Sequence, residues 1–153
     1  MATTVMVLNR PTLKVSDTEA GIAAGLAVEC QVNQARVECT PNYNTIPATG
    51  CSGATQSPGQ DSWSLELIWL DDWTAAAAES LSRFAYENSG SQVWYELTPD
   101  TDVPTVKVTG SAYCASGGVG GTFGDGSAAQ STVTWPCIER PLVSEPAVTA
   151  AAA

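Results

Sequence analysis

The sequence predicts a mainly β protein: an antiparallel β-sandwich or barrel with one flanking α-helix, a long loop and extended arms at both ends. Three observations support this fold class. Several segments alternate apolar and polar residues with the period of two that is typical of strands, a single segment has helical spacing, and turn-forming residues separate the alternating segments. The 153 residues, 44% of them hydrophobic, are enough to bury the core of one domain.

The N-terminal part of the chain precedes the first clear strand pattern. Residues 1–16 have little periodicity and include Pro11, so we interpret them as an extended arm, and we expect the domain itself to span residues 17–138. In the following "LAVECQVNQARVECT", the alternation slips by one residue at Asn33 and Gln34. Either a hairpin with a two-residue turn or a bulge within one long strand fits this slip.

A long loop and a strong core strand follow. Residues 40–61, "TPNYNTIPATGCSGATQSPGQD", are rich in turn-forming residues and too long for an ordinary connection, so they are either mobile or a contact arm. Residues 62–70 then form a strand. Its period of two places Trp63, Leu65, Leu67 and Trp69 on one face, with Glu66 on the other.

One helix is predicted over about residues 74–88. Asp71 and Asp72 lie near its N-terminus, where acidic groups complement the helix dipole, and Gly90 is available as the left-handed stop. Leu81 and Phe84 lie on an apolar stripe that we expect to pack on a sheet. The same stripe also contains Ala77 and Ala85.

The second half of the chain predicts three more strands and a terminal arm. The strands are expected at residues 92–97, 105–113 and 130–135. Residues 139–153 contain two prolines and a terminal alanine run that is too short to form a stable isolated helix, so we interpret them as a C-terminal arm.

The charge balance excludes several classes of partner. With 16 acidic and 6 basic side chains, the formal net charge of −10 should repel both nucleic-acid phosphates and anionic membranes. No apolar run is long enough to cross a bilayer, and the N-terminus lacks the apolar segment of a signal peptide. We therefore expect no membrane binding, and synthesis and folding in the cytosol.

The residue types argue against an enzyme. The chain has no histidine, which removes most acid/base, triad and zinc chemistry, and its five cysteines include no CxxC pair. Buried free thiols or a disulfide between Cys39 and Cys51 are both open. The Asp71–Asp72 pair is better explained by the helix N-terminus, and the glycine-rich "ASGGVGGTFGDG" fits no phosphate-loop spacing. We expect no catalytic residue, no cofactor and no metal site.

Long polar extensions suggest self-association, because an assembling subunit can bury each of them on a neighbour. In addition, "SLSRFAYENSGSQVWYELTPDTDVPTVKVTGSAYCASGGVGGTFGDGSAAQSTVTWPCIERP" resembles the major tail tube protein of long-tailed (siphovirus-like) bacteriophages. The resemblance covers about half of the chain. It rests on the helix ending "RFAYENSGSQVWYELTP", the glycine-rich loop and the "STVTWPCIERP" strand and turn.

This resemblance implies a virion structural protein that assembles into hexameric rings, which stack into a tail tube with a negatively charged lumen for DNA ejection. Genomic DNA would pass through without specific binding. A tape-measure protein inside the tube and proteins at the tail ends are implied as partners. The protein would be made in the host cytoplasm and end in the virion tail.

Candidate site residues follow in three groups. Glu29, Glu38 and Glu66 lie opposite the apolar residues of their strands, so they either line the lumen or are ordinary solvated charges. By the resemblance, the loop and both arms would bridge subunits or rings, and Leu81 and Phe84 would pack the helix on the sandwich. The candidate bridging residues are Arg10, Pro11, Tyr43, Ile46, Pro47, Arg140 and Pro141.

The alternative is an immunoglobulin-like virion decoration or glycan-binding module, which would remain a monomer or small oligomer. Five tryptophans could build a carbohydrate platform. However, Trp63 and Trp69 share a core-type face, which leaves Trp94 as the undecided aromatic residue.

Overall fold

The structure is a computed structural model that describes residues 11–76, 79–100, 106–120, 123–124 and 126–144. Two antiparallel β-sheets face each other, with one short α-helix at the end of the sandwich, which confirms the predicted fold class. The elements are β1 (Thr12–Ser16), a 3-10 turn (Ile22–Ala24), β2 (Leu26–Ala27), β3 (Val32–Thr40), β4 (Tyr43–Ile46), β5 (Thr55–Pro58), β6 (Ser62–Leu70), α1 (Leu81–Glu87), β7 (Gln92–Thr98), β8 (Val108–Tyr113), β9 (Gln130–Pro136) and β10 (Leu142–Val143).

The core lies between a five-stranded sheet, in the order β10-β8-β7-β1-β2, and a three-stranded sheet, in the order β3-β6-β9. The predicted core strand is confirmed as β6, the middle strand of the smaller sheet. Leu65, Leu67 and Trp69 are fully buried, and Trp69 meets Trp135 of β9 edge to face at 6.4 Å between ring centroids. Both indole rings bury a large apolar area, so this pair holds the centre of the sandwich.

The slip in the first strand pattern is a bulge, not a hairpin. Residues 32–40 form the single strand β3, and its register against β6 shifts between Val32, which pairs with Trp69, and Gln34, which pairs with Ile68. The nine-residue strand β6 pairs with β3 along its length, which favours one continuous strand. A hairpin would instead need a tight turn at Asn33-Gln34, and this pair is a poor turn sequence. The bulge keeps Val32, Ala35 and Val37 on the core side of the sheet.

The predicted N-terminal arm is wrong for residues 12–16. These residues form β1, which lies between β7 and β2 in the larger sheet and is paired with β7 from Thr12↔Thr98 to Ser16↔Trp94. Leu13 and Val15 are buried in the core. Two inward-facing residues are too few to show periodicity in the sequence, and long-range pairing with β7 decides the strand.

The helix begins at Leu81, seven residues later than the predicted start near residue 74. Asp72 causes the difference, because its Oδ1 accepts hydrogen bonds from both the Thr74 amide (2.9 Å) and the Thr74 hydroxyl (2.7 Å). This side-chain turn competes with the first helical turn. The Ser80 hydroxyl then donates to the Asp72 carbonyl. Of the predicted apolar stripe, Leu81, Phe84 and Ala85 are buried, and Ala77 lies outside the described residues.

A side chain from another strand completes the helix N-terminus. The Gln31 side chain, just before β3, donates from Nε2 to the Glu79 carbonyl at 2.6 Å and accepts at Oε1 from the Leu81 amide at 2.8 Å. The first amides of a helix have no partner within the helix, so Gln31 supplies one from a distance of 50 residues in sequence. The helix is thereby fixed to the end of the three-stranded sheet.

The first residues of the predicted C-terminal arm, 139–144, are part of the sandwich and do not form a free arm. After β9, the Cys137 amide donates to the Trp63 carbonyl of one sheet, and the next amide, of Ile138, donates to the Ser111 carbonyl of the other. The chain then adds β10 to β8 through Leu142↔Thr109. Residues 139–144 therefore close one side of the sandwich, and residues 145–153 lie outside the described part.

Replacement of Gln31 tests this helix attachment. We expect Gln31→Ala to lower the free energy of unfolding by about 1–3 kcal/mol, because it leaves a helix amide and a carbonyl without partners. Urea denaturation followed by circular dichroism measures the change. Gln56→Ala, at an exposed position in β5, is the matched control and should change it by less than about 0.5 kcal/mol. Equal effects of the two substitutions would contradict the attachment.

Candidate assembly surfaces

The predicted loop 40–61 contains a β-hairpin that continues the β3–β6 pair. Only Pro41 and Asn42 separate β3 from β4, and three residues separate β5 from β6. Asn42 closes this junction, because its carbonyl accepts from the Gly59 amide at 2.6 Å and its side-chain Nδ2 donates to the Gln60 carbonyl at 2.6 Å. We call residues 41–61 the hairpin arm.

The hairpin arm is exposed along its length. In the described part of the chain, β4 and β5 pair only with each other, from Tyr43↔Pro58 to Ile46↔Thr55. Tyr43 and Ile46 are 61% and 50% exposed, and Pro47 is exposed beside them. An isolated two-stranded hairpin is marginally stable in water, so a second molecule that covers these side chains would stabilise it.

The smaller sheet presents two edges. Within the described residues, β3 and β9 each pair with β6 on one side only, so one side of their backbone groups has no strand partner. A nine-residue edge such as β3 is a template for pairing with another chain. The bulge near its start and the charged Arg36 and Glu38 limit this pairing to a partner that fits the register.

The outer face of the smaller sheet is polar. In its central rows, Arg36 lies opposite Glu66 and Glu66 opposite Thr134, and Arg36 Nε is 2.7 Å from Glu38 Oε1. Serine, threonine and glutamine side chains make up most of the rest of this face, and Ile68, Leu70 and Pro136 are its apolar members. This outer face consists of Gln34, Arg36, Glu38, Thr40, Ser62, Ser64, Glu66, Ile68, Leu70, Gln130, Thr132, Thr134 and Pro136.

Of the three candidate lumen acids, Glu38 and Glu66 share the outer face, but Glu29 does not. Glu29 lies in the turn between β2 and β3, where it borders a groove of about 440 Å³ between the two sheets. The prediction for Glu29 assumed a strand that continues before residue 32, and the turn ends that pattern. The apolar side chains that line the groove are Leu13, Val32, Ala35, Val37, Leu97 and Val108.

The other candidate bridging residues fall into different environments. Pro11 is exposed at the rim of the same groove, whereas Pro141 is buried within its own subunit and is not available as a contact there. Arg140 places its guanidinium 5.9 Å from the Trp63 ring centroid, a cation–π contact inside the chain. Arg10 lies outside the described residues.

The few basic side chains are all engaged within the described part of the chain. Their partners are carbonyls for Lys14 and Arg83, carboxylates for Arg36 and Lys107, and the Trp63 ring for Arg140. The acidic side chains outnumber them, so the surface has negative charge in excess. Such a surface offers no cluster of cations to hold a phosphate backbone.

Asp71 and Asp72 have structural partners that the sequence did not indicate. The Ser131 hydroxyl donates to Asp71 Oδ1 at 2.7 Å, which ties the end of β6 to β9. The hydrogen bonds from Thr74 hold the pKa of the Asp72 carboxyl below its usual value. Within the described residues, no cluster of three or more metal-ligating side chains occurs, and no helix is long and apolar enough to cross a membrane.

The five tryptophans lie in different environments. Trp69 and Trp135 are buried in the core, Trp63 is half-buried under Arg140, and Trp73 is half-buried and meets Tyr86 of the helix edge to face. Trp94 is half-buried on the outer side of the five-stranded sheet, in a cleft of about 520 Å³ that also involves Gln92 and Arg140. The aromatic residues therefore do not form a continuous platform.

The cysteines have different exposures. Cys30 and Cys51 are exposed, Cys39 and Cys137 are half-buried, and Cys114 is buried. Burial raises the pKa of the Cys114 thiol to about 12. Cys39 pairs with Trp63 at the end of β3, whereas Cys51 lies in the turn of the hairpin arm. All five cysteines are free thiols in the structure, so no disulfide joins Cys39 and Cys51.

Comparison with known proteins gives a structural likeness and no sequence match. No family model and no curated protein matches the chain. The fold is similar to that of a solved chain from the sheath/tube terminator of PVC, an extracellular contractile injection system, in its extended state. The TM-score is 0.55 at 16% identity, and the match covers 95% of this chain and 100% of the other. The chain therefore shares its fold with a chain of that terminator.

The thiol exposures predict an order of reactivity. We expect iodoacetamide at pH 8 to modify Cys30 and Cys51 first and Cys114 about tenfold or more slowly, because the reactive thiolate of Cys114 is disfavoured and shielded. Mass spectrometry after digestion with trypsin and chymotrypsin measures each site, since cleavage after Arg36 separates Cys30 from Cys39 and cleavage after Tyr43 separates Cys39 from Cys51. In urea all five should react at similar rates, and rapid native labelling of Cys114 would contradict the burial.

Proposed function

We propose that this chain is a virion structural protein that self-assembles into hexameric rings, which stack into a phage tail tube. The observation that carries the proposal is the hairpin arm, which exposes Tyr43 and Ile46 and has no strand partner in the described chain other than itself. A monomer gains little from such an extension. A subunit of a ring or stack stabilises it by covering it with a neighbour.

The fold supports this proposal independently of the arm. The PVC terminator chain is part of a tail-like injection apparatus, and the sequence resemblance points to phage tail tubes. The first ends a sheath and tube and the second forms the tube, so both favour a structural role in a tail-like assembly. In the proposed ring, the edges of β3 and β9 pair with the three-stranded sheets of neighbours, so that six small sheets close into one wall.

The outer face of the three-stranded sheet would then line the lumen. Glu38 and Glu66 contribute negative charge, and the one cation of this face, Arg36, is held by Glu38 at 2.7 Å. A wall of this kind lets a polyanion slide, because each free lysine or arginine would add affinity through counterion release. Low affinity for DNA is the property that a conduit needs.

The proposal extends to partners and location through the resemblance. A tape-measure protein would occupy the lumen before DNA, and terminating proteins would bind the end rings. The protein would be made in the host cytoplasm and reside in the virion tail. The competing function, a decoration or glycan-binding module, depends on Trp94 and its shallow cleft, and it requires a subunit that stays monomeric or forms a small oligomer.

Assembly of the purified protein is the first test. We expect hollow tubes or stacked rings in negative-stain micrographs at high protein concentration, with matching sedimentation of large particles. Ile46→Asp should raise the concentration needed for assembly about tenfold or more, since it places a charge in a covered apolar contact. Val119→Asp, an equivalent change at a 72% exposed position in the glycine-rich loop, is the control.

Circular dichroism should show that both variants remain folded. A wild-type protein that stays monomeric at all concentrations, and binds glycans through Trp94, would favour the decoration module instead. Equal loss of assembly in both variants would show that the hairpin arm has no special role.

A lysine added to the outer face of the three-stranded sheet tests whether this face lines the tube. Thr132→Lys adds one cation per subunit to the outer face, opposite the apolar Ile68, and Ser89→Lys adds the same charge after the helix. We expect Thr132→Lys tubes to retain linear DNA at low salt and to release it as salt increases. Ser89→Lys tubes should retain much less. Equal retention by the two variants would contradict the assignment of the lumen face.

A further inference from the structure

We propose that Cys51, at the tip of the hairpin arm, forms a disulfide bond with Cys30 of the next subunit along the stack once the assembled particle meets an oxidising medium. This inference rests on the proposed function, because it needs subunits that stack in one direction. It assigns a covalent staple between successive rings to the two thiols that the fold leaves exposed.

Both thiols lie in turns with defined hydrogen bonds. Cys51 belongs to the turn Thr49–Ser52, in which the Thr49 amide donates to the Ser52 carbonyl at 2.8 Å and the Cys51 amide donates to Thr49 Oγ1 at 3.4 Å. Cys30 belongs to the turn between β2 and β3, where the Gln31 amide donates to the Val28 carbonyl at 2.9 Å. Each thiol is therefore presented at a fixed end of the subunit.

The two thiols lie at opposite ends of the same β-ribbon. Cys30 precedes β3 by two residues, and Cys51 lies beyond the end of β3, in the hairpin arm. The nine residues of β3, about 30 Å long, lie between them, and the strands of the arm pair with each other and not back onto β3. A disulfide needs Cα atoms about 4.4–6.8 Å apart, and both cysteines are free thiols within the chain, so we expect the bond to form between chains.

The symmetry of a stack explains why these ends meet. In a head-to-tail contact, one patch of a subunit meets a different patch of the next, whereas a two-fold contact joins identical patches. Two different exposed thiols at opposite ends fit the head-to-tail case. Each subunit then offers Cys51 to one neighbour and Cys30 to another, so the links can continue through the stack.

The chemistry balances with an external oxidant. The two thiols lose two protons and two electrons as the S–S bond forms, and molecular oxygen accepts them to give hydrogen peroxide. Alternatively, a small-molecule disulfide exchanges with the two thiols and leaves as two free thiols. Reducing cytosol keeps both cysteines as thiols during assembly, so the staple forms after the particle has left the cell.

The test uses single and mixed variants. Wild type, Cys30→Ser, Cys51→Ser and the control Cys39→Ser are assembled with a reductant, and tubes are verified by microscopy. The reductant is then replaced by oxidised glutathione, and the samples are run on denaturing gels without reductant. We expect a ladder of multimers for wild type and the control and only monomers for each single variant. Tubes co-assembled from Cys30→Ser and Cys51→Ser should give dimers and nothing larger.

Several outcomes would overturn the inference. Dimers in Cys30→Ser alone would show Cys51 paired with Cys51, and a ladder in both single variants would assign the link to other thiols. Wild-type tubes without a ladder would overturn the staple and leave the proposed function intact, whereas failure to form any tubes would overturn both. In the wild-type ladder, mass spectrometry after digestion with trypsin and chymotrypsin, which together separate Cys30, Cys39 and Cys51, should find Cys30 linked to Cys51.

Discussion

The packing of one face of β6 against the five-stranded sheet is the interaction on which the rest of the structure depends. Leu65, Leu67 and Trp69 are completely buried there, and burial of each contributes about 1.5–3 kcal/mol. Because β6 lies between β3 and β9, its inward side chains fix the direction of the outward ones as well. The core therefore determines which residues the opposite face presents.

The packing of β6 in the core therefore also fixes the surfaces that the proposed tube would use. The same strand that buries Trp69 exposes Glu66 on its other face and continues through β5 into the hairpin arm. Core, candidate lumen wall and arm thus belong to one long ribbon of β3–β4 and β5–β6. In the proposed assembly, the position of the core would therefore directly set the position of the surfaces that contact neighbouring subunits.

The side chains that hold the two ends of the ribbon are polar, and they act across long separations in sequence. Gln31 attaches the helix to the start of β3, and Asp71 ties the end of β6 to Ser131 of β9. At the other end, Asn42 closes the junction to the arm. These contacts keep the sandwich rigid while the arm itself has no core, which is the arrangement that an assembling subunit requires.

The sequence by itself determined the fold class, the core strand β6 and the excess of negative charge, because strong period-two patterns and composition are local properties. It left β1, the start of the helix and the position of Glu29 undecided or wrong, since these depend on partners far along the chain. Leu13 and Val15 form a strand only because β7 lies beside them, and Asp72 stops the helix pattern through contacts with Thr74 and Ser80. Only the tertiary structure could decide that Cys30 and Cys51 occupy opposite ends of one ribbon, because the course of a chain in space follows from strand pairing and not from distance in sequence.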